Sequence, residues 1–143
     1  MEKGTYILVL NLKDSCEVNV GSLGNISLER GFYTYIGSAF GPGGFKRINR
    51  HRKVVNGDNN KRHWHIDYLN GNNHSELTTV YRIPGEKIEC SLAQKLSGKS
   101  IGKFGCSDCK CGSHLMFYED LGSLENDVEK VLESISAKYF RAE

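Results

Sequence analysis

Thr5-Tyr6-Ile7-Leu8-Val9-Leu10-Asn11-Leu12 is a run of β-branched, aromatic and aliphatic residues. When the run is extended, Tyr6, Leu8 and Leu10 face one way and Ile7 and Val9 the other, so it reads as a buried strand. Two alternating pairs follow, Val18 with Val20 and Ile26 with Leu28. They flank Gly21-Ser22-Leu23-Gly24-Asn25, which supplies the glycines a hairpin turn wants. After Arg30-Gly31, the aromatic and β-branched run from Phe32 to Ile36 predicts another strand. The N-terminal third is expected to be an antiparallel meander.

Gly37-Ser38-Ala39-Phe40-Gly41-Pro42-Gly43-Gly44 breaks that sheet. Beyond it, Phe45, Ile48 and Val55 lie scattered among cations, the pattern of a short helix with one apolar side. His63 to Leu69 is compatible with a further helix, and Leu77 to Ile83 alternates as a strand closed by Pro84-Gly85. Ile88, Leu92 and Leu96 recur at a helical spacing before a Ser97-Gly98 stop, which places Glu89 on a helix. Residues 98–114, rich in Gly, Ser and Cys, read as an irregular loop feeding a last strand from His114 to Tyr118. Ser123 is the expected cap of a final helix whose stripe is Leu124, Val128, Val131, Leu132 and Ile135. The predicted class is α+β: a small central antiparallel sheet flanked by helices. A single domain spans residues 1–143, with 119–143 as a C-terminal helical extension.

With 143 residues, 38% of them hydrophobic, the chain suits one compact domain around one site. No apolar stretch approaches the roughly 20 residues of a membrane span, and the N-terminus lacks a signal-peptide pattern, so a cytoplasmic protein with no membrane partner is expected. Cys106, Cys109 and Cys111 are too close together for a conventional disulfide framework, and the total of five is odd. Reduced thiols or a bound metal are the expected states. The net charge of +2 hides an uneven distribution. Lys46, Arg47, Arg50, Arg52, Lys53, Lys61 and Arg62 stand against Asp58 alone between residues 46 and 65, with His51, His63 and His65 among them. A basic face of that kind favours phosphate-bearing partners, although a solvated surface helix gives the same pattern.

The first long strand opens on Gly4-Thr5-Tyr6, and the later one ends on Tyr35-Ile36-Gly37. Together with Arg47 and His51 on the following helix and Glu89 on a later one, this order resembles the GIY-YIG nuclease superfamily. Gly37-Ser38-Ala39, Gly41-Pro42-Gly43-Gly44, His63-Trp64-His65-Ile66-Asp67-Tyr68, Glu89-Cys90 and Ser107-Asp108-Cys109-Lys110-Cys111 narrow the resemblance to the Uri-type branch. The likeness extends from Gly4 to Tyr118. It implies a metal-dependent endonuclease hydrolysing phosphodiester bonds in nucleic acid, DNA ahead of RNA, with repair or recombination as its setting.

That resemblance also implies roles. Glu89 is the ligand of Mg²⁺ or Mn²⁺, and one carboxylate suffices because Mg²⁺ keeps several waters and takes phosphate oxygens. Arg47 clamps the transition state through its fork, with Arg50 as its rival. His51, one helical step on, shares a face with Arg47 and is in a position to bond a tyrosine or a water. Tyr6 is the base and Tyr35 the positioner of phosphate or water, and the two roles are exchangeable. Gly37, Lys46, Arg50, Lys61 and His65 are the expected nucleic-acid contacts. The chain departs from the family pattern in two places. No lysine stands two residues after Gly37, which leaves Lys46 or Lys61 as the phosphate cation, and a late buttressing asparagine has no match, its space falling to Ser107, Asp108 or His114.

His63, His65 and Asp67 would line one face if extended, for a metal or for nucleic acid, with Trp64 packing inward or stacking on a base. Cys106, Cys109 and Cys111, with Cys90 or His114 as a fourth ligand, have a spacing compatible with structural zinc, as well as with plain reduced thiols. Two rival functions therefore stand beside the nuclease. One is a non-catalytic DNA- or RNA-binding module on the same scaffold, and the other a zinc-stabilised interaction protein.

Overall fold

A computed structural model describes residues 3–19, 24–40, 44–56, 66, 75–101 and 113–142. In chain order the elements are β1 (Gly4–Leu12), β2 (Cys16–Asn19), β3 (Asn25–Leu28), β4 (Gly31–Ser38), α1 (Lys46–Val55) and β5 (Ser75–Pro84). Then come α2 (Glu89–Lys95), β6 (Lys99–Ser100), β7 (Leu115–Tyr118), α3 (Leu121–Ser134) and β8 (Phe140–Ala142). Six strands make one antiparallel sheet in the order β6-β7-β4-β1-β5-β8, while β2 and β3 pair with each other. The fold is α+β.

The two-sided apolar pattern of β1 has a direct cause in the layering. Tyr6, Leu8, Leu10 and Leu12 join Ile48 of α1, with Val18 and Leu28 of the β2-β3 hairpin, in one core. Ile7 and Val9 join Leu92, Leu96, Leu124, Val128 and Leu132 of α2 and α3 in the other. A central strand covered on both faces has no polar side to show. α1 buries Ile48, His51 and Val54, so a histidine occupies the middle of its inward stripe. Among the described residues no helix is long and apolar enough to cross a membrane.

Four local expectations are corrected. The N-terminal third is not a meander, because β1 pairs with β4 along its whole length and the β2-β3 hairpin is an insertion between them. A four-residue β2 that buries only Val18 offers too little to hold a nine-residue β1, whereas β4 brings Tyr33, Tyr35 and Ile36. The strand expected at His114 to Tyr118, seen as Leu115–Tyr118, is not the last one, since Phe140–Ala142 pairs with Val80 to Arg82 at the sheet edge. Three residues carry no readable alternation, and β8 is fixed instead by Arg141, which pairs with Glu125 and Glu129 of α3. Within the segment read as loop, Lys99–Ser100 forms β6 against β7. The cap of α3 is Asp120, whose carboxylate accepts from the Ser123 amide at 2.7 Å and from its hydroxyl at 3.0 Å. Ser123 is thus the partner in the first turn, and the carboxylate satisfies one of the amides a helix start leaves open. Of the expected helix at 63–69 only Ile66 lies among the described residues, helical and fully buried.

Candidate active site at the end of the central strands

Pairing register brings the two short motifs together. Tyr6 lies opposite Gly37 and Leu8 opposite Tyr35 in the β1-β4 ladder, so all four project to the α1 face. The Tyr6 ring passes directly over Gly37, where a Cβ would stand 2.3 Å from the ring Cζ and 2.4 Å from the hydroxyl oxygen. Only glycine leaves room for the ring at that crossing. Gly4 is required for a similar reason, because a Cβ there would meet the Ile83 carbonyl oxygen at 2.2 Å.

His51 descends from α1 onto both tyrosines. Its ring centroid is 5.6 Å from that of Tyr6 and 6.4 Å from that of Tyr35. The Tyr6 hydroxyl and His51 Nε2 are 2.8 Å apart in a buried hydrogen bond whose donor is set by the imidazole tautomer. Tyr6 is 2% exposed and His51 1%, so each phenol or imidazole lone pair shielded here needs a partner. Other tyrosines of the fold are held differently. Tyr33 donates to the Glu29 carbonyl, Tyr81 to Glu129 and Tyr118 to Asp127. Burial, then the neighbouring carboxylates, push those three phenols well above their ordinary pKa, which keeps them protonated anchors. Tyr6 bonds an imidazole instead, that of His51.

Arg47, one turn before His51, donates from Nη1 to the Ser38 carbonyl at 2.7 Å. Ser38 is the last residue of β4 and pairs with Thr5, so the guanidinium is fastened to the same end of the sheet as Tyr6. Thr5 performs a second task there. Its hydroxyl donates to the Glu86 carbonyl at 2.6 Å and accepts from the Ile88 amide at 3.2 Å, clamping the start of α2 against β1. Glu89, the next residue, is half-buried and makes no hydrogen bond or ion pair among the described residues. Its charge acts on His114, an 8% exposed histidine whose carbonyl accepts from the Ile36 amide at 3.0 Å beside the second motif. Burial lowers the His114 pKa below its usual value and the Glu89 carboxylate works in the opposite sense.

Tyr6, Tyr35, Arg47 and His51 are thus in one cluster on the α1 face, whereas Glu89 opens α2, which packs on the other face of the sheet and is tied to the same strand end through Thr5. Gly37 acts through the space it leaves. Lys46 is exposed at the start of α1 and Arg50 is half-buried on it. Lys61, His63, Trp64, His65 and Asp67 lie outside the described residues, as do Cys106, Ser107, Asp108, Cys109 and Cys111. Cys90 is an exposed free thiol.

Among the described residues no three or more His, Cys, Asp or Glu side chains converge on a metal position. A hard cation with a mostly aqueous shell fits Glu89, since Mg²⁺ takes few protein carboxylates. An all-protein cage does not fit the described part. Two residues at the site were not singled out from sequence: Thr5, and Arg82, which pairs with Tyr6 across β1 and β5 and therefore projects to the same face. The signal for Arg82 was present as the one cation in an otherwise apolar and hydroxylic run from Leu77 to Ile83.

No curated protein and no solved structure matches this chain. A family profile described as a domain of unknown function, DUF123, matches residues 5–137, and the chain belongs to that family.

Proposed function

We propose that this member of the DUF123 family is a metal-dependent endonuclease of the GIY-YIG type, cytoplasmic and of the Uri branch, hydrolysing phosphodiester bonds in nucleic acid, DNA ahead of RNA. The observation that carries the reading is the buried 2.8 Å bond between the Tyr6 hydroxyl and His51 Nε2, formed over Gly37. Arg47, fixed one helical turn away, adds a cation to it.

Phosphodiester hydrolysis needs a base for the attacking water, neutralisation of charge on the phosphorane, and help for the leaving oxygen. A free phenol, with pKa near 10, is a weak base. With its proton directed at His51 Nε2, the Tyr6 oxygen keeps a lone pair for the water, and the phenolic proton passes to the imidazole as the water's proton arrives. Tyr35, against the same imidazole, limits where phosphate or water sits. The Arg47 fork stays charged at every working pH and suits the equatorial phosphoryl oxygens. Glu89 would hold Mg²⁺ or Mn²⁺, which would supply Lewis-acid stabilisation of the charge on phosphate and on the leaving oxygen as its bond to phosphorus breaks. Burial disfavours the charged form of His114, whose imidazole feels the Glu89 carboxylate.

The depth of Tyr6 and His51 favours one second reading, a nucleic-acid-binding module in which the pair serves packing alone. Incubating the protein with labelled single-stranded, duplex, flapped and branched DNA and RNA, in Mg²⁺, Mn²⁺ or EDTA, separates the two. The nuclease cuts in metal and loses cutting in Glu89→Ala and Arg47→Ala. Salt-sensitive binding with no product on any substrate refutes it in favour of the module.

A further inference from the structure

Next to Tyr6 the seam between α1 and β5 opens into a cleft of about 450 Å³. Ile48 and Val80 form its floor, and Lys46, Asn49, Arg52 and Arg82 its polar rim, with no acidic residue among the described residues of the lining. None of the three cations has an ion pair among the described residues. Like charges gathered on one wall repel one another, and an anion bound between them relieves that repulsion.

The shape of the cationic run points to an extended anion. Arg52 also lines a second, neighbouring hollow with Lys13, Asn56, Ser75 and Glu76. That run ends where Glu76 pairs with Lys13 at 2.8 Å. From Lys46 to Arg52 the helix advances about 9 Å, at about 1.5 Å per residue. Phosphates of one duplex strand rise about 3.4 Å per step along the duplex axis and lie further apart along the strand itself, so the rim spans about two of them. At its inner end is Arg82, the cross-strand neighbour of Tyr6.

We propose that this groove is the track for the nucleic-acid strand flanking the scissile phosphate, an inference that rests on the nuclease reading. Arg82 meets the phosphate next to the one at Tyr6, and Lys46 and Arg52 meet those beyond it. Phosphate contacts of this kind set register and carry no base preference.

The test is duplex binding by the full chain in EDTA, between about 50 and 300 mM KCl, where each phosphate contact contributes about 0.9 to the slope of log K against log salt. Arg52→Gln/Arg82→Gln is compared with Lys95→Gln/Lys130→Gln, which removes the same charge from exposed positions on α2 and α3, across the sheet. The groove pair should lower the slope by about 1.8 and the control pair by well under 1. Arg52→Gln alone, at a helix surface, should lower it by about 0.9 and holds if the double variant fails to fold. Equal slopes in groove and control variants overturn the track, as does failure of the wild type to bind duplex. Cutting in Mg²⁺ is scored on the same preparations. Cutting with unchanged slopes removes the groove and leaves the nuclease, whereas reduced slopes without any cutting leave the groove and remove the nuclease.

Discussion

Gly37→Ala tests the crossing on which the site is built. The new methyl would lie 2.3, 2.4 and 2.6 Å from Cζ, Oη and Cε2 of Tyr6, where ordinary contact begins at 3.4 Å. The ring must therefore retreat by about 1 Å, yet it is 2% exposed with His51 behind it. Overpacking of this kind costs about 1–3 kcal/mol. Loss of the buried Tyr6–His51 bond costs about 1–3 kcal/mol more. The expected total is about 2–6 kcal/mol, a large share of the roughly 5–15 kcal/mol that stabilises a domain. Urea unfolding of Gly37→Ala in the wild-type and Tyr6→Leu backgrounds isolates the cause, because leucine lacks the three atoms that clash. In the Tyr6→Leu background the cost should fall below about 1 kcal/mol. An equal cost in both backgrounds would refute the steric argument.

Arg47→Lys keeps the charge and loses the fork, so single-turnover cleavage should fall by about 10²–10³-fold with the fold intact, as far as when a preorganised transition-state donor is removed. Full activity in that variant would show that the guanidinium serves only to bond Ser38. Glu89→Gln should abolish metal-dependent cleavage and also lower the His114 pKa further, since the carboxylate raises it; an NMR titration showing no change would separate the two residues. The folded His114 takes its proton at lower pH than the unfolded one, so between those two pKa values the unfolded chain binds more protons and stability rises with pH. Acidification below about 6.5 should accordingly destabilise the protein, and His114→Asn should flatten that part of the stability profile measured by urea unfolding.

Much of the scaffold was legible because periodicity reports burial. The alternation of Tyr6, Leu8 and Leu10 against Ile7 and Val9 anticipated a strand sandwiched between two cores, and the spacing of Arg47 and His51 anticipated a shared helix face. Sequence alone did not reveal which strand β1 would choose, because a hairpin insertion leaves local pattern unchanged and pairing is decided by tertiary packing of Tyr33, Tyr35 and Ile36. β8 escaped notice for lack of length. Arg82 and Thr5 become part of the site only through register, which no single segment encodes. Asp120 was passed over as cap because Ser123, a residue type equally suited to capping, stands three positions later.

Tyr6→Phe is the most direct test of the central claim. It preserves the ring above Gly37 and against His51 and removes only the hydroxyl oxygen. Single-turnover cleavage of the preferred substrate in Mg²⁺ should slow by at least about 10²-fold, the usual worth of a positioned base, with cooperative unfolding retained. A rate within about threefold of the wild type would contradict the account, since the difference between the two rates measures what the hydroxyl does in the transition state.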